Sequence, residues 1–313
     1  MPEKPRLAFT LGDPAGIGPE IVVKALRSGR VGRVCRPIVV GEESLWRRAG
    51  WTPNLAALFD TRLGLRSVRL GGTDQNAGRA SFAALDAAAR LAGRGIVRGI
   101  VTAPISKKSW KAAGVPFPDH TDYFQKTWLR PGAQMILAAP RQNLWSVLAT
   151  RHIPLAQVST QLSPALVLAA ARALHEALSQ LIAKKRPRLG LCALNPHAGE
   201  EGILGREEKT KLAPAVAAAR RLGLDLQGPL PADSAWRLHK NGAFDGLVAL
   251  YHDQALIALK ACAGLDIVNW TTGLPFARVS PGHGTAFDIA GKNKADPAAL
   301  AAAAELAAKL CAS

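Results

Sequence analysis

At 313 residues the chain is long enough for one large or two modest domains, and with 48% hydrophobic residues it can bury a full core. Its 40 Lys and Arg against 23 Asp and Glu leave a formal charge of +17, a balance that invites a nucleic-acid reading. The cations are scattered, however. The one run, Lys184-Lys185-Arg186, sits at an apparent helix end, and the aromatics do not interleave with the basic residues as a stacking platform requires. Composition therefore argues against nucleic acid as the partner and leaves an anionic small substrate as the better use for a few of these cations.

From the N-terminus, a strand is expected over Arg6–Leu11. The segment Gly12-Asp13-Pro14-Ala15-Gly16-Ile17-Gly18-Pro19-Glu20 then makes a tight turn and opens a helix over Pro19–Arg27. Pro19 suits the first helical turn, and backbone N–H groups there can meet a ligand. Strands follow at Pro37–Val40, Ser67–Leu70 and Gly99–Thr102, with helices at Arg79–Ala92 and Ser106–Ala113, the latter capped by Ser106. Asp119-His120-Thr121-Asp122 reads as a polar cluster in a Pro-rich loop. Beyond it come strands Gln134–Ala138, Leu144–Thr150, Arg188–Leu194, Gly246–Leu250 and Asp266–Thr271. The helices among them are Pro164–Lys184, Glu207–Leu222, Ser234–Asn241 and Gln254–Ala261, and Pro297–Leu310 closes the chain. This alternation predicts an α/β fold with a largely parallel sheet, in two lobes around one cleft.

Cys35, Cys192, Cys262 and Cys311 form no C-x-x-C pair, so neither a thiolate zinc site nor a redox pair is expected. Cys192 and Cys262 lie in apolar runs and read as buried thiols. Met1–Arg6 leads directly into the first strand without a signal-peptide apolar region, and the most apolar stretch, residues 164–181, carries Arg172, His175 and Glu176. The expectation is a cytoplasmic protein that does not cross a membrane.

Seven histidines carry the strongest signal. His175 and His239 fall in helices and read as surface or boundary residues. The other five, His120, His152, His197, His252 and His283, fall in polar junctions. Three of those junctions follow apolar runs as strand ends do: Thr150-Arg151-His152, Asn195-Pro196-His197 and Tyr251-His252-Asp253. Ligands in open α/β sheets bind outside the carboxyl ends of strands. Three imidazoles arriving there predict a catalytic metal site, because neutral imidazole suits zinc, cobalt, nickel or iron, and three protein ligands leave a coordination position open. Lys260, Asn269 and Arg278 follow His252, and both cations suit a carboxylate or a phosphate. The dinucleotide fingerprint G-x-G-x-x-G and the Walker A motif are both absent.

Gly12–Glu20, Thr102–Lys107, His120-Thr121, Leu194–Glu200, Gly228–Asp233, Tyr251–Lys260 and Gly273–Gly291 occur in the order found in the 4-hydroxythreonine-4-phosphate dehydrogenase family of vitamin B6 synthesis, which the chain resembles over nearly its whole length. That family is similar in fold to the isocitrate and isopropylmalate dehydrogenases, and the run His283–Lys292 resembles the loop with which those enzymes hold the adenosine of NAD. The resemblance implies a cofactor-side lobe of residues 1–125 plus 274–313 and a metal, substrate and dimerisation lobe of residues 126–273, with the active site in the cleft between them. It implies that His152, His197 and His252 bind one divalent metal (zinc, cobalt, manganese or magnesium), and that His120, Thr121, Lys260, Asn269 and Arg278 bind substrate. His283, Gly284 and Asp288 would bind the cofactor, which is NAD rather than NADP if Asp288 meets the ribose hydroxyls. The family is a homodimer in which the partner chain supplies the third histidine.

The implied reaction is the NAD-linked oxidation of 4-phosphooxy-L-threonine to 2-amino-3-oxo-4-phosphooxybutanoate, which loses carbon dioxide to give 3-amino-2-oxopropyl phosphate. The metal would acidify the substrate hydroxyl, the nicotinamide would take the hydride, and Lys260 or Asp253 would assist proton transfer. Two alternatives stand beside it: a paralogue acting on a phosphothreonate or phosphoerythronate, and a three-histidine metal hydrolase. The chain departs from the family pattern around the substrate and cofactor. Asp119 stands for Gly, Asp122 for Glu, Glu201 and Ile203 for Gly and His, Ala255 for Gly, Thr272 for Leu and Gly282 for Asp. A carboxylate at Asp119 would repel a phosphate unless it points away or bonds to a cation.

Overall fold

The computed structural model describes residues 3–128 and 134–312. Its strands are β1 (Arg6–Thr10), β2 (Arg36–Gly41), β3 (Ala57–Asp60), β4 (Gly99–Val101), β5 (Met135–Ala139), β6 (Leu144–Leu148), β7 (Arg188–Cys192), β8 (Asp225–Leu230), β9 (Gly246–Ala249), β10 (Val268–Thr271) and β11 (Ala277–Pro281). The chain divides into two compact units, Met1–Pro131 with Leu274–Ser313 and Gly132–Gly273.

In the first unit the strand order is β3-β2-β1-β4-β11, and every pairing is parallel. β4 is buried along its whole length and β1 except at its first residue, as strands covered on both faces are. The chain winds from β1 outward through β2 and β3, then returns to place β4 on the other side of β1. The ends of β1 and β4 thus flank a topological switch point, the place where an α/β sheet opens a crevice. Helix Gln75–Gly93 begins at Asp74, whose side chain accepts a hydrogen bond from the Ala77 N–H. This helix and Lys107–Ala112 bury Leu85, Ala88 and Trp110 among Ile100, Phe124 and Phe276. Trp110 can be fully buried because its Nε1 donates to Ser81 Oγ at 2.8 Å.

In the second unit the order is β10-β5-β6-β9-β7-β8. β6, β9, β7 and β8 run parallel, whereas β5 is antiparallel to both β10 and β6. The cause is local: β5 and β6 are joined by one turn at Pro140–Gln142 and a left-handed Asn143, too short for a crossover. Leu137, Leu144, Leu148, Leu247, Ala255 and Leu259 fill the core on one side of this sheet. Helix Pro164–Leu181, capped by Ser163, is the apolar stretch noted above; no helix among the described residues is long and apolar enough to cross a membrane.

Several expectations need correction. Ser67–Leu70 is not a strand; the third strand is Ala57–Asp60, whose half-exposed pattern suits an edge. Asp119–Asp122 is not a loop but the start of helix His120–Thr127, with Asp119 as its cap. His239 is buried, not superficial: Nε2 accepts from the Trp145 N–H and Nδ1 bonds the Phe244 carbonyl, both at 2.9 Å. Cys192 is buried, but Cys262 only partly. β8 and β11 had no counterpart in the sequence reading, since Gly228-Pro229 and the polar residues Arg278 and Ser280 mask them.

Candidate active site

In the first unit the turn after β1 meets the junction after β4. The Asp13 N–H donates to the Pro104 carbonyl at 2.8 Å. A Cβ on Gly12, where φ is +64°, would stand 2.6 Å from the same oxygen, so glycine alone fits. Asp13 is fully buried; desolvation outweighs the hydrogen bonds it accepts, from the Ser109 hydroxyl and the Ala15 N–H among others, and raises its carboxyl above the ordinary value.

Beside this crevice β11 presents Arg278, which is buried. Its Nη2 donates to Thr102 Oγ1 at 2.7 Å and to His120 Nδ1 at 3.0 Å, and its guanidinium lies 5.5 Å from the Phe124 ring centroid. Burial brings its pKa down to about 10, with Asp119 acting the other way, so it remains a cation at neutral pH. Guanidinium offers no acceptor, so His120 Nδ1 must accept and the ring proton must sit on Nε2. Burial, helped by Arg278, holds the His120 pKa well below 6.5 and keeps the imidazole neutral. Its Nε2 is sealed from solvent and meets no acceptor among the described residues. The result is a cation and an oriented N–H donor side by side, with Thr121 in the same first helical turn. Thr102 is the member sequence reasoning did not single out; its partner lies 176 residues away.

Asp119 does not add its charge to this group unopposed. Oδ1 accepts from the Asp122 N–H at 3.0 Å and Oδ2 pairs with Lys107 at 2.9 Å. Burial raises its pKa, but these two partners outweigh burial and the net shift is downward.

In the second unit His152, His252 and His197 follow β6, β9 and β7, which are adjacent and parallel in that order. The structure brings the first two together, with ring centroids 5.6 Å apart. His252 Nδ1 hydrogen-bonds Asp253 Oδ1 at 2.7 Å, which leaves Nε2 to ligate, the usual carboxylate–histidine–metal arrangement. His197 does not join them: among the described residues no group of three or more His, Cys, Asp or Glu converges within the chain. Two imidazoles oriented in this way fit a divalent ion that takes its remaining ligands from elsewhere.

The reason lies in the backbone. His197, Ala198, Gly199, Glu200 and Glu201 all have positive φ, between 41° and 79°, so the chain leaves Asn195 in a left-handed turn. Each non-glycine residue in this region costs roughly 1–2 kcal/mol, so the turn must be held by its surroundings. Buried Glu208 provides this: Oε1 accepts the N–H groups of Leu194 (2.9 Å) and Asn195 (2.8 Å), and Oε2 accepts Asn195 Nδ2 (2.9 Å). Glu207 accepts the same Nδ2 at 2.9 Å and the Ser159 hydroxyl, bonds that lower its pKa to about 2. A Cβ on Gly199 would stand 2.7 Å from Glu208 Oε2. Nothing in the local pattern around Asn195 signals residues 207 and 208, which is why the sequence reading missed them. Lys260 is exposed in the last turn of helix His252–Ala263, and Asn269 on β10 keeps a buried Oδ1 that meets no hydrogen-bond partner among the described residues.

Back in the first unit, the loop from His283 packs on the turn after β1: the Ile17 N–H donates to the Thr285 carbonyl at 3.0 Å. Asp288 is exposed, His283 Nδ1 bonds the Gly284 carbonyl at 3.1 Å, and a Cβ on Gly284 would meet nothing within 4 Å among the described residues. A cavity of about 450 Å³ adjoins the turn, bordered by Gly16, Glu20, Gly291 and Asn293 and by Arg27 and Arg48.

The profile of the family described as pyridoxal phosphate biosynthetic protein PdxA matches residues 33–307. A 4-hydroxythreonine-4-phosphate dehydrogenase of Synechococcus sp. (strain JA-3-3Ab) is 42% identical over 98% of this chain and 94% of its own. A protein of Oceanobacillus iheyensis, provisionally named a D-threonate 4-phosphate dehydrogenase, is 36% identical over 95% of each chain. The crystal structure of a 4-hydroxythreonine-4-phosphate dehydrogenase from Klebsiella pneumoniae has a TM-score of 0.87 at 34% identity, covering 98% of this chain and 100% of its own. The chain belongs to the pyridoxal phosphate biosynthetic protein PdxA family and is a dehydrogenase.

Proposed function

We propose that this protein carries out the metal-dependent, NAD-linked oxidation of 4-phosphooxy-L-threonine, whose 3-keto acid product loses carbon dioxide, in the cytoplasmic synthesis of vitamin B6. The observation that carries the reading is the buried Arg278 with the neutral His120 beside it. A buried cation and an oriented N–H donor are suited to a phosphate, and Thr121 offers a hydroxyl in the same first helical turn as His120, while Asn269 of the second unit stays a substrate-binding candidate by resemblance alone. His152 and His252 of this chain would hold the metal, with His197 supplied by the partner chain of a homodimer.

Exposed aliphatic side chains support that dimer. Leu155, Ile203 and Ile257 are 69%, 81% and 69% exposed, and each follows one of the three histidines within six residues. A surface that buries them would close over the same three loops. Bound there, a divalent ion supplies Lewis-acid acidification of the substrate hydroxyl, and the nicotinamide supplies the hydride acceptor. Asp253 is engaged with His252, which favours Lys260 as the candidate for moving the substrate proton. Asp288 and His283 would hold the adenosine of NAD; the carboxylate disfavours NADP.

The test is NADH formation by the metal-loaded protein with 4-phosphooxy-L-threonine, beside 4-phospho-D-threonate and a His252→Ala control. Turnover of the amino acid, lost in the control, supports the reading. Turnover of the sugar acid alone would move the substrate to that of the Oceanobacillus relative's name. No NADH from either would refute it.

A further inference from the structure

Asn195 and the two glutamates that hold it have no place in the chemistry so far, yet they form a connected hydrogen-bond cluster at the base of the segment that carries His197. Buried Glu208 accepts three bonds, two from the backbone N–H groups that lead into Asn195-Pro196-His197 and one from the Asn195 amide. Glu207 shares that amide and is itself tied to Ser159 on the neighbouring helix Leu155–Gln161. Past this anchor the backbone turns left-handed for five residues, beginning at His197. Among the described residues, the bonds of the Leu194 and Asn195 N–H groups and of Asn195 Nδ2 to the two glutamates, the packing of Gly199 on Glu208 and a bond from Lys209 Nζ to the Glu201 carbonyl connect the turn to rigid structure; of these, the Asn195 amide is the one side chain that lies on the turn's entry and meets both glutamates. A backbone in a sparsely populated region keeps one conformation only where its surroundings over-determine it.

We propose that Asn195, held by Glu207 and Glu208, is a positioning residue that fixes the direction in which His197 leaves the sheet, and with it the affinity of the shared metal site. This rests on the reading of His197 as a metal ligand in a dimer. Released from the anchor, the turn relaxes toward right-handed conformations and His197 samples directions in which it does not ligate. The anchor works through His197 and touches no substrate atom. Partners that orient a ligating histidine typically change metal affinity by about 10–100-fold when removed.

Cobalt(II) titration of the full-length apo-protein tests this, read by the visible d–d spectrum and by competition with a chelator. Asn195→Ala keeps the backbone bonds to Glu208 and should weaken cobalt binding by about 10–100-fold, with a spectrum altered toward that of His197→Ala and a melting temperature close to wild type. If Asn195→Ala does not fold, Glu207→Gln, whose carboxylate hydrogen-bonds Asn195 and Ser159, is read in the same way. Wild-type cobalt affinity and spectrum in the folded variant would overturn the proposal, provided His197→Ala changes both. If His197→Ala also leaves both unchanged, His197 is not a ligand and the underlying reading fails first.

Discussion

Replacing Asp119 separates two roles that one carboxylate plays. Oδ1 caps helix His120–Thr127 through the Asp122 N–H, and Oδ2 pairs with Lys107, whose side chain is 63% exposed. Loss of an N-cap to alanine costs about 0.5–2 kcal/mol, whereas an ion pair with an exposed lysine contributes at most about 1 kcal/mol. Asp119→Ala should therefore destabilise by about 1–2 kcal/mol, a fall in melting temperature of about 2–7 °C for a unit of this size. Asp119→Asn keeps a capping oxygen and loses only the pair, so it should cost less than about 1 kcal/mol. Because the cap sets the first turn carrying His120 and Thr121, the alanine variant should also raise KM for the phosphorylated substrate while the asparagine variant does not. Urea unfolding of the three proteins at pH 7.5, followed by steady-state kinetics, gives both quantities. Equal losses in the two variants would show that the charge and not the cap matters, and no loss with alanine would refute the capping argument outright.

Arg278→Lys removes the fork that reaches Thr102 and His120 while keeping the charge; losing one charge-assisted bond should lower kcat/KM about 10–100-fold, and an unchanged value would show that only the charge matters. Gly78→Ala places a Cβ 2.1 Å from the Ser109 carbonyl oxygen, between helices Gln75–Gly93 and Lys107–Ala112. The helix-propensity gain of about 1 kcal/mol should be outweighed, and a melting temperature at or above wild type would contradict this packing. His239 is held below its ordinary pKa of 6.5, by burial above all, and His120 well below it for the same reason. A depressed histidine pKa means that the unfolded chain binds the proton first. Stability should thus be fully present above pH 6.5 and fall below it, by up to about 1.4 kcal/mol per pH unit for each histidine. Unfolding free energies that stay flat from pH 7.5 to 5.5 would refute the buried neutral assignment, and His239→Gln should reduce the slope.

What could be read from the sequence was local in kind. The turn after β1, the Ser106 cap and the strand ends before His152, His197 and His252 each depend on residues within a few positions of one another, and all stand as expected. Arg278 reads from the sequence as a cation suited to a carboxylate or phosphate, but its burial and its partners are not legible there, because Thr102 and His120 lie 176 and 158 residues away. The left-handed turn was illegible for a different reason: four of its five residues are not glycine, so local propensity predicts the opposite conformation, and the glutamates that override it lie 12 and 13 residues beyond Asn195. The polar cluster at Asp119–Asp122 carried a helix-start signal, an aspartate three residues before another acidic residue, that the nearby prolines obscured.

The two units reach a defined site chemistry by different means. Around Arg278 the means is protonation. Burial keeps His120 neutral and leaves Arg278 charged, so donor and cation are set before any ligand arrives, and no proton need move when a phosphate binds. This explains how a carboxylate can stand at position 119, where the family usually has glycine. Asp119 spends its charge on Lys107 and on a helix cap, and what field remains favours the charged form of Arg278. Around His197 the means is conformation. Hydrogen-bonded glutamates hold a strained backbone in place, and the histidine inherits its direction from them. The first arrangement tolerates substitution wherever the new charge finds a local partner. The second tolerates none at Asn195, because no other side chain offers two amide protons to two carboxylates at that distance from the backbone.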